Sequence, residues 1–325
     1  MQVQGDASRS WTYDAVFGTS STTDEVYSAV TEGIIDKLFS GYNATILAYG
    51  QTGSGKTFTM GTNFDSPSGS PSGVIPCVVA DVFSRAAQAP GEAEVSLSYL
   101  EVYNEEVKDL LIPQNPSAPP AAPLQVRENV QGDVVIPNLT FKSVTSAAAV
   151  SKIMSAASSA RATGSTAMNA GSSRSHAICT LYLTVTPPAD AEDDTVVTSK
   201  FTLVDLAGSE RQKRTGADGD RLKEGISINK GLFVLGQVVS GLAEKSSLDD
   251  PSSSTSHIPY RDSKLTRLLT SSLGGNSLTV MVACVSPADI NLEESANTLR
   301  YAQRARAIKN EAVKNVVASA ISGAE

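Results

Sequence analysis

The sequence predicts an α/β sandwich, a mostly parallel central β-sheet covered by helices. Short β-rich runs alternate along the chain with segments of helical periodicity. One such run, Ile46-Leu47-Ala48-Tyr49, leads straight into a glycine-rich stretch and then a helical one. Across 325 residues there is no internal repeat, and a 41% hydrophobic content supplies one sizeable core.

The strands come first. Thr45-Ile46-Leu47-Ala48-Tyr49 is a short apolar run ending in glycine. Val95-Ser96-Leu97-Ser98-Tyr99 alternates in polarity, and residues 178–185 follow the same logic. Residues 201–204 and 278–285 are apolar and β-rich. The helices follow from spacing: Ile228, Leu232, Leu235, Val239 and Leu242 would line one helical face. Leu265, Leu268, Leu269 and Ser272 form a shorter stripe, and Leu292, Ala296 and Leu299 open a last helix running to Lys309. Residues 66–73, 113–123, 187–194 and 246–256 read as surface loops from their Pro, Ser, Gly and Asp content. Motifs lie on both sides of the two central loops, which therefore read as insertions within one domain.

Composition narrows the function. No run of about 18 apolar residues occurs, so no membrane-spanning helix is expected. The start, Met1-Gln2-Val3-Gln4-Gly5-Asp6, lacks the basic and apolar segments of a secretory signal. Cys77, Cys179 and Cys284 match no metal-ligand spacing and suit a reduced, intracellular compartment. A net charge of −8 argues against binding nucleic acid over the whole surface. Any acidic partner would have to be met by a local basic patch.

Three stretches carry chemistry. Gly50-Gln51-Thr52-Gly53-Ser54-Gly55-Lys56-Thr57 fits G-x-x-x-x-G-K-[ST]. Its glycines let the backbone curl so that successive N–H groups face phosphate oxygens, reinforced by the following helix. Lys56 would neutralise the β- and γ-phosphates and the Thr57 hydroxyl would ligate Mg²⁺. By chance this pattern arises in roughly one chain of this length per hundred, and the strand before it opposes the bland reading as a glycine-rich turn. Asp205-Leu206-Ala207-Gly208 follows an apolar strand and has the D-x-x-G shape of nucleotide switches, with Glu210 two residues on. Asp205 could hold Mg²⁺ through water, and the Gly208 N–H could approach a γ-phosphate. Asn169-Ala170-Gly171-Ser172-Ser173-Arg174-Ser175-His176 is a polar stretch before a strand, rich in groups that bind water, metal and phosphate. Alone it reads as a flexible serine loop, and His176 alone as a packing residue.

In that order and spacing the three stretches resemble the kinesin family, over about residues 11–315. Residues 209–215, 220–225 and 283–289 are most similar to its chromokinesin (kinesin-4) branch. The resemblance implies the three-layer P-loop NTPase fold of kinesin motors, with a motor domain over 1–310 and a neck-linker-like tail over 311–325. It also implies ATP hydrolysis with Mg²⁺, microtubules as partner, plus-end-directed movement and a cytoplasmic, cytoskeletal location. No membrane or direct nucleic-acid partner is expected, and the chain should be monomeric. In kinesins the first serine of the pair positions the attacking water, here Ser172. The second, Ser173, joins Thr57 on magnesium, while Arg174 pairs with Glu210 around the bound γ-phosphate. Asn169 belongs to the same catalytic stretch, and Gly208 would transmit phosphate loss to the helix over 228–242.

The filament face should involve residues 257–267, where Arg261, Lys264 and Arg267 recur every three residues. A solvated charged face accounts for that spacing equally well. Lys213, Arg214, Arg221 and Lys223 could add to it, and Asp249 and Asp250 stand where some kinesins carry lysines.

The family's motors open with a strand ending in an adenine-contacting R-x-R-P-like motif, which this chain lacks. Gln2-Val3-Gln4 corresponds to a later short strand, so a gap inside the main sheet is expected. A non-catalytic or impaired microtubule-binding pseudo-motor is therefore the alternative. A small GTPase would need an [NT]-K-x-D stretch, and Asn229-Lys230-Gly231-Leu232 lacks the acid. A myosin would need a different second sensor and a far longer motor.

Overall fold

The computed structural model describes residues 10–62, 73–112, 122–164, 171–191, 193–210, 220–247 and 257–317. Helices α1 (Thr23–Thr31) and α2 (Ile34–Phe39) precede strand β1 (Ala44–Tyr49), which runs into α3 (Lys56–Met60). Helix α4 (Val74–Ala86) leads to β2 (Glu92–Tyr103) and β3 (Glu106–Asp109). Three short strands follow, β4 (Arg127–Glu128), β5 (Val134–Val135) and β6 (Lys142–Val144). Helices α5 (Ala147–Gly164) and α6 (Gly171–Arg174) introduce β7 (His176–Thr186) and β8 (Val196–Asp205). Then come α7 (Asp220–Ser246), α8 (Lys264–Leu268), β9 (Leu278–Ala283), α9 (Leu292–Arg306) and β10 (Val316–Val317).

The main sheet has the order β3-β2-β7-β8-β1-β9, with β6 on β2 and β10 on β8. The α/β sandwich is as expected, but the mostly parallel sheet is in fact mixed. Among the described strands, only β1 with β8 and β1 with β9 are parallel. The pairs β2–β3, β2–β7 and β7–β8 are antiparallel. A connection as short as that between Thr186 and Val196 reverses the chain directly, whereas a parallel neighbour needs a crossover of a dozen residues or more.

Gln2-Val3-Gln4, on which the expected gap inside the sheet depends, lie outside the described residues. Among the described strands, pairing is continuous from β3 to β9, and β9 stands at the end with β1 as its neighbour. Its residues are half-buried throughout, unlike those of β1, and an apolar trough of about 720 Å³ runs beside it.

Alternation sends neighbouring side chains to opposite faces. Ile46 joins a core with Met60, Val78, Val82, Leu97, Met154 and Leu203 under α4 and α5. Leu47 joins the opposite core with Ile178, Val204, Leu235, Val239 and Leu265 under α7 and α8. Leu232, Leu235, Val239 and Leu242 are buried along α7 as their spacing requires, while the side chain of Ile228 lies outside the described residues. The stripe from Leu265 is broken: α8 stops at Leu268 and a 3₁₀ turn carries Thr270–Ser272. On α9, Ala296 and Leu299 are buried but Leu292 is exposed, and the helix ends at Arg306 rather than Lys309. Among the described residues no helix is long and apolar enough to cross a membrane.

Candidate nucleotide site

The loop over 50–57 owes its course to glycines. Gly50 has φ of 151° and lies so close to the Cys284 carbonyl that a Cβ would sit 2.1 Å from its oxygen. Gly55, at φ 100°, caps α3 in the left-handed region. Helix α3 is only five residues long, ending at Met60 with Gly61 as its C-cap. Inside the loop the Gln51 carbonyl accepts from Lys56 Nζ at 2.9 Å and from Ser54 Oγ at 2.7 Å. Lys56 is buried, and burial lowers its pKa against the upward pull of Asp205 and Glu210. A buried ammonium whose hydrogen bond, among the described residues, goes to a carbonyl suits an incoming phosphate. Gly53 (φ 79°) and Thr52 complete the rim, where Thr52 is exposed.

The loop after β8 closes on this cradle. Ser209 N–H donates to the Gly50 carbonyl at 3.0 Å. Glu210 accepts from the Thr52 amide at 2.8 Å and from its hydroxyl at 2.6 Å. Thr57 Oγ1 donates to Asp205 Oδ2 at 2.8 Å, and Thr62 Oγ1 to the same oxygen at 3.1 Å. Asp205 is 2% exposed, burial raises its pKa, and its Oδ1 is buried with no hydrogen-bond partner among the described residues. An orphaned carboxylate oxygen beside a threonine hydroxyl fits the donor set of a hydrated magnesium ion.

The serine-rich stretch reaches the same place. Gly208 N–H donates to the Ser173 carbonyl at 2.9 Å, and Ala207 N–H to His176 Nδ1 at 3.0 Å. Arg174 ends α6 and is half-buried. Asn169 and the side chain of Ser172 lie outside the described residues. Thus all three motif stretches converge on one site.

An anchor beneath this site was not read from the sequence. Arg161 on α5 donates to Ser175 Oγ (2.7 Å), the Ser175 carbonyl (3.0 Å) and Glu101 of β2 (3.0 Å). Both charges are nearly buried, at 8% and 13% exposure, so the pair holds the start of β7 against the sheet. Its one sequence signal is Glu101, a charge inside an apolar strand.

The basic stretch lies elsewhere, around α8. Ser263 caps α8, and Glu105 accepts from the Ser263 hydroxyl (2.7 Å) and the Lys264 amide (2.8 Å). Arg261 is 72% exposed and forms a two-point pair with Glu128 of β4, at 3.1 and 2.5 Å. Arg267 is 19% exposed and approaches the same carboxylate at 3.6 Å. Lys264 is half-buried. Lys213, Arg214, Asp249 and Asp250, and the side chains of Arg221 and Lys223, lie outside the described residues.

This fold and site define a P-loop nucleotide-binding protein. The signature of the kinesin motor domain matches residues 1–308, and the chain belongs to the kinesin family. It is 48% identical over 334 residues to the kinesin-like protein KIN-4C of Arabidopsis thaliana, covering 95% of this chain and 25% of that protein. It is 48% identical over 318 residues to the chromosome-associated kinesin KIF4A of Homo sapiens, covering 97% and 25%. The chain thus spans about a quarter of the length of these relatives. Kinesin-4 proteins are prominent among its relatives, in line with the branch expected. A solved structure of KIF14 as a two-heads-bound dimer with AMP-PNP and a microtubule superposes with a TM-score of 0.80 at 40% identity. It covers 91% of this chain and 80% of that one. A fast kinesin superposes at 0.82 and 39% identity, covering 96% and 84%.

Proposed function

We propose that this chain is a microtubule-based motor ATPase that couples ATP hydrolysis to plus-end-directed movement. The observation that carries the proposal is the meeting of the three motif stretches, Thr57 with Asp205, Thr52 with Glu210 and Ser173 with Gly208. Support comes from KIF14, solved with AMP-PNP on a microtubule, at 40% identity.

In this reading residues 50–57 wrap the phosphates and Lys56 supplies the fixed cation. Thr57 and Ser173 would hold Mg²⁺, with Asp205 behind it through water. When bound, that ion neutralises charge on the β- and γ-phosphates. Ser172 and Asn169 orient the attacking water. Arg174 takes Glu210 from Thr52 as the site closes, excluding bulk water and strengthening the charge contacts within. Gly208 N–H exchanges the Ser173 carbonyl for the γ-phosphate and returns when phosphate leaves, biasing α7.

Residues 1–310 form the motor and 311–325 its neck-linker-like tail. The tail's docking is supported by β10 on β8 and by Asn315, whose N–H and Nδ2 both donate to the Gly41 carbonyl. Arg261, Lys264 and Arg267, with Lys213 and Lys223, make the filament face. The chain works as a monomer on cytoplasmic microtubules without binding nucleic acid directly.

Replacing Glu210 by Ala tests the site. ATP binding should persist, while microtubule-stimulated turnover falls by about 100-fold or more. Wild-type-like turnover in this variant would overturn the assignment.

A further inference from the structure

Two consecutive amides of the loop after β8 end on the stretch around the start of β7. Gly208 N–H reaches the Ser173 carbonyl, and Ala207 N–H reaches the His176 ring. The first bond has to break if Gly208 is to meet a γ-phosphate. The second does not, because its acceptor is a side chain fixed in the sheet. His176 begins β7 opposite Val102 of β2, and the next residue, Ala177, pairs with Asp205 of β8. The ring is therefore held by strand register on both sides.

The imidazole is 3% exposed. Burial above all, then the Arg161 and Lys56 cations, brings its pKa down to about 3, so it stays neutral at physiological pH. Since Nδ1 accepts the Ala207 amide, the ring proton sits on Nε2. That edge faces α7 at Gly231. A Cβ there would lie 3.5 Å from His176 Nε2, from Glu105 Oε1 and from Leu265 Cδ2 alike. The same glycine thus meets the sensor strand, the β2–β3 turn that caps α8, and α8 itself.

We propose that His176 is a positioning residue for ATP hydrolysis: Nδ1 is the fixed pivot about which residues 208–210 swing, and the opposite ring edge sets the seat of α7 at Gly231. The proposal rests on the motor-ATPase reading above and adds to it a residue that touches neither phosphate nor metal. A ring that merely fills space would serve stability alone. A pivot makes turnover depend on an acceptor at the Nδ1 position.

The test uses the full chain with His176→Leu, His176→Asn and His176→Gln, measuring fluorescent-ADP affinity, thermal midpoint, and basal and microtubule-stimulated turnover. His176→Leu should lower stimulated turnover about 100-fold, the scale of a misplaced reacting group, with nucleotide affinity within about threefold of wild type. His176→Asn, whose Oδ1 can occupy the Nδ1 position, should recover most of that loss. His176→Gln carries its amide one carbon too far and should not. Turnover of His176→Leu within threefold of wild type would overturn the proposal. If the Leu variant fails to fold, equal turnover of the Asn and Gln variants overturns it instead. A wild-type chain hydrolysing ATP without microtubule stimulation would sink the motor reading, while the same ranking in basal turnover would still decide the pivot.

Discussion

Thr52 should govern how often the site closes without a filament. Thr52 competes with Arg174 for Glu210, because its amide and hydroxyl hold one carboxylate oxygen each, at 2.8 and 2.6 Å. The pocket for this contact is tight: a Cβ on Gly208 would lie 2.3 Å from Glu210 Oε2 and from Thr52 Oγ1. Thr52→Val keeps the side-chain shape and the amide bond and removes the hydroxyl donor. A hydrogen bond to a charged group contributes about 1.5–3 kcal/mol when buried. Thr52 is exposed, so solvent screening leaves about 1 kcal/mol. That shifts the balance of Glu210 away from Thr52 by about fivefold. Basal turnover should rise by up to that factor, while filament-stimulated turnover, where closure is already enforced, stays near wild type. The ratio of the two rates, measured by phosphate release, therefore falls about fivefold, and Thr52→Ser restores it. Unchanged or lower basal turnover, with nucleotide affinity intact, would refute the reasoning.

Asn310→Ala should loosen the docked tail, because one side chain accepts from the Gly274 amide and donates to the Ser272 and Ser277 carbonyls and to Thr279 Oγ1. Losing these bonds costs about 2–4 kcal/mol, or roughly 3–6 °C in thermal midpoint for a chain of 325 residues. Hydrogen exchange at the Thr198 amide, which donates to the Asn315 carbonyl, should speed up, and unchanged protection there would count against the idea. Glu128→Gln should free Arg261 and Arg267 for an acidic partner. The Arg261 hydrogen bond above all holds the Glu128 carboxyl below its usual range, so it stays charged at neutral pH. Microtubule co-sedimentation should tighten about threefold at low salt with a steeper salt dependence, and weaker binding would exclude Glu128 as a competitor.

What the sequence made legible was local. Residues 50–57 carry phosphate chemistry in contiguous positions, and the buried side of α7 follows from spacing alone. The mixed sheet was partly legible too, since the loop over 187–194 is too short for a helical crossover. Helix α5 was missed because its interior face mixes Val150, Met154 and Ala157 among serines and alanines, giving weak amphipathic contrast. The contacts that tune the site were not legible in principle. Thr52 and Glu210 are 158 positions apart, Arg161 and Glu101 60, and Ala207 and His176 31. Only the fold decides which polar side chain meets which distant amide.

The path from the nucleotide site to the docked tail can be narrowed by rigidity. Strand β8 touches both ends, with Asp205 beside Thr57 and Val196 and Val197 paired to β10. At about 3.3 Å per residue it spans roughly 30 Å. Yet it sits between β7 and β1 in the sheet, with Phe201, Leu203 and Val204 fully buried, so it serves as a strut and cannot carry a displacement. Helix α7 can. Its start follows the sensor loop, and Gly231 seats it at His176. Its far end touches the run into the tail, with Ser240 accepting from Arg304 at 3.4 Å and Ser246 from the Lys309 amide at 3.3 Å. Both contacts lie just before Asn310, the residue that pins the tail to the sheet. A shift of α7 that breaks these two long bonds would move the tail's anchor, working against the packing of Leu235, Val238 and Val239 in the core.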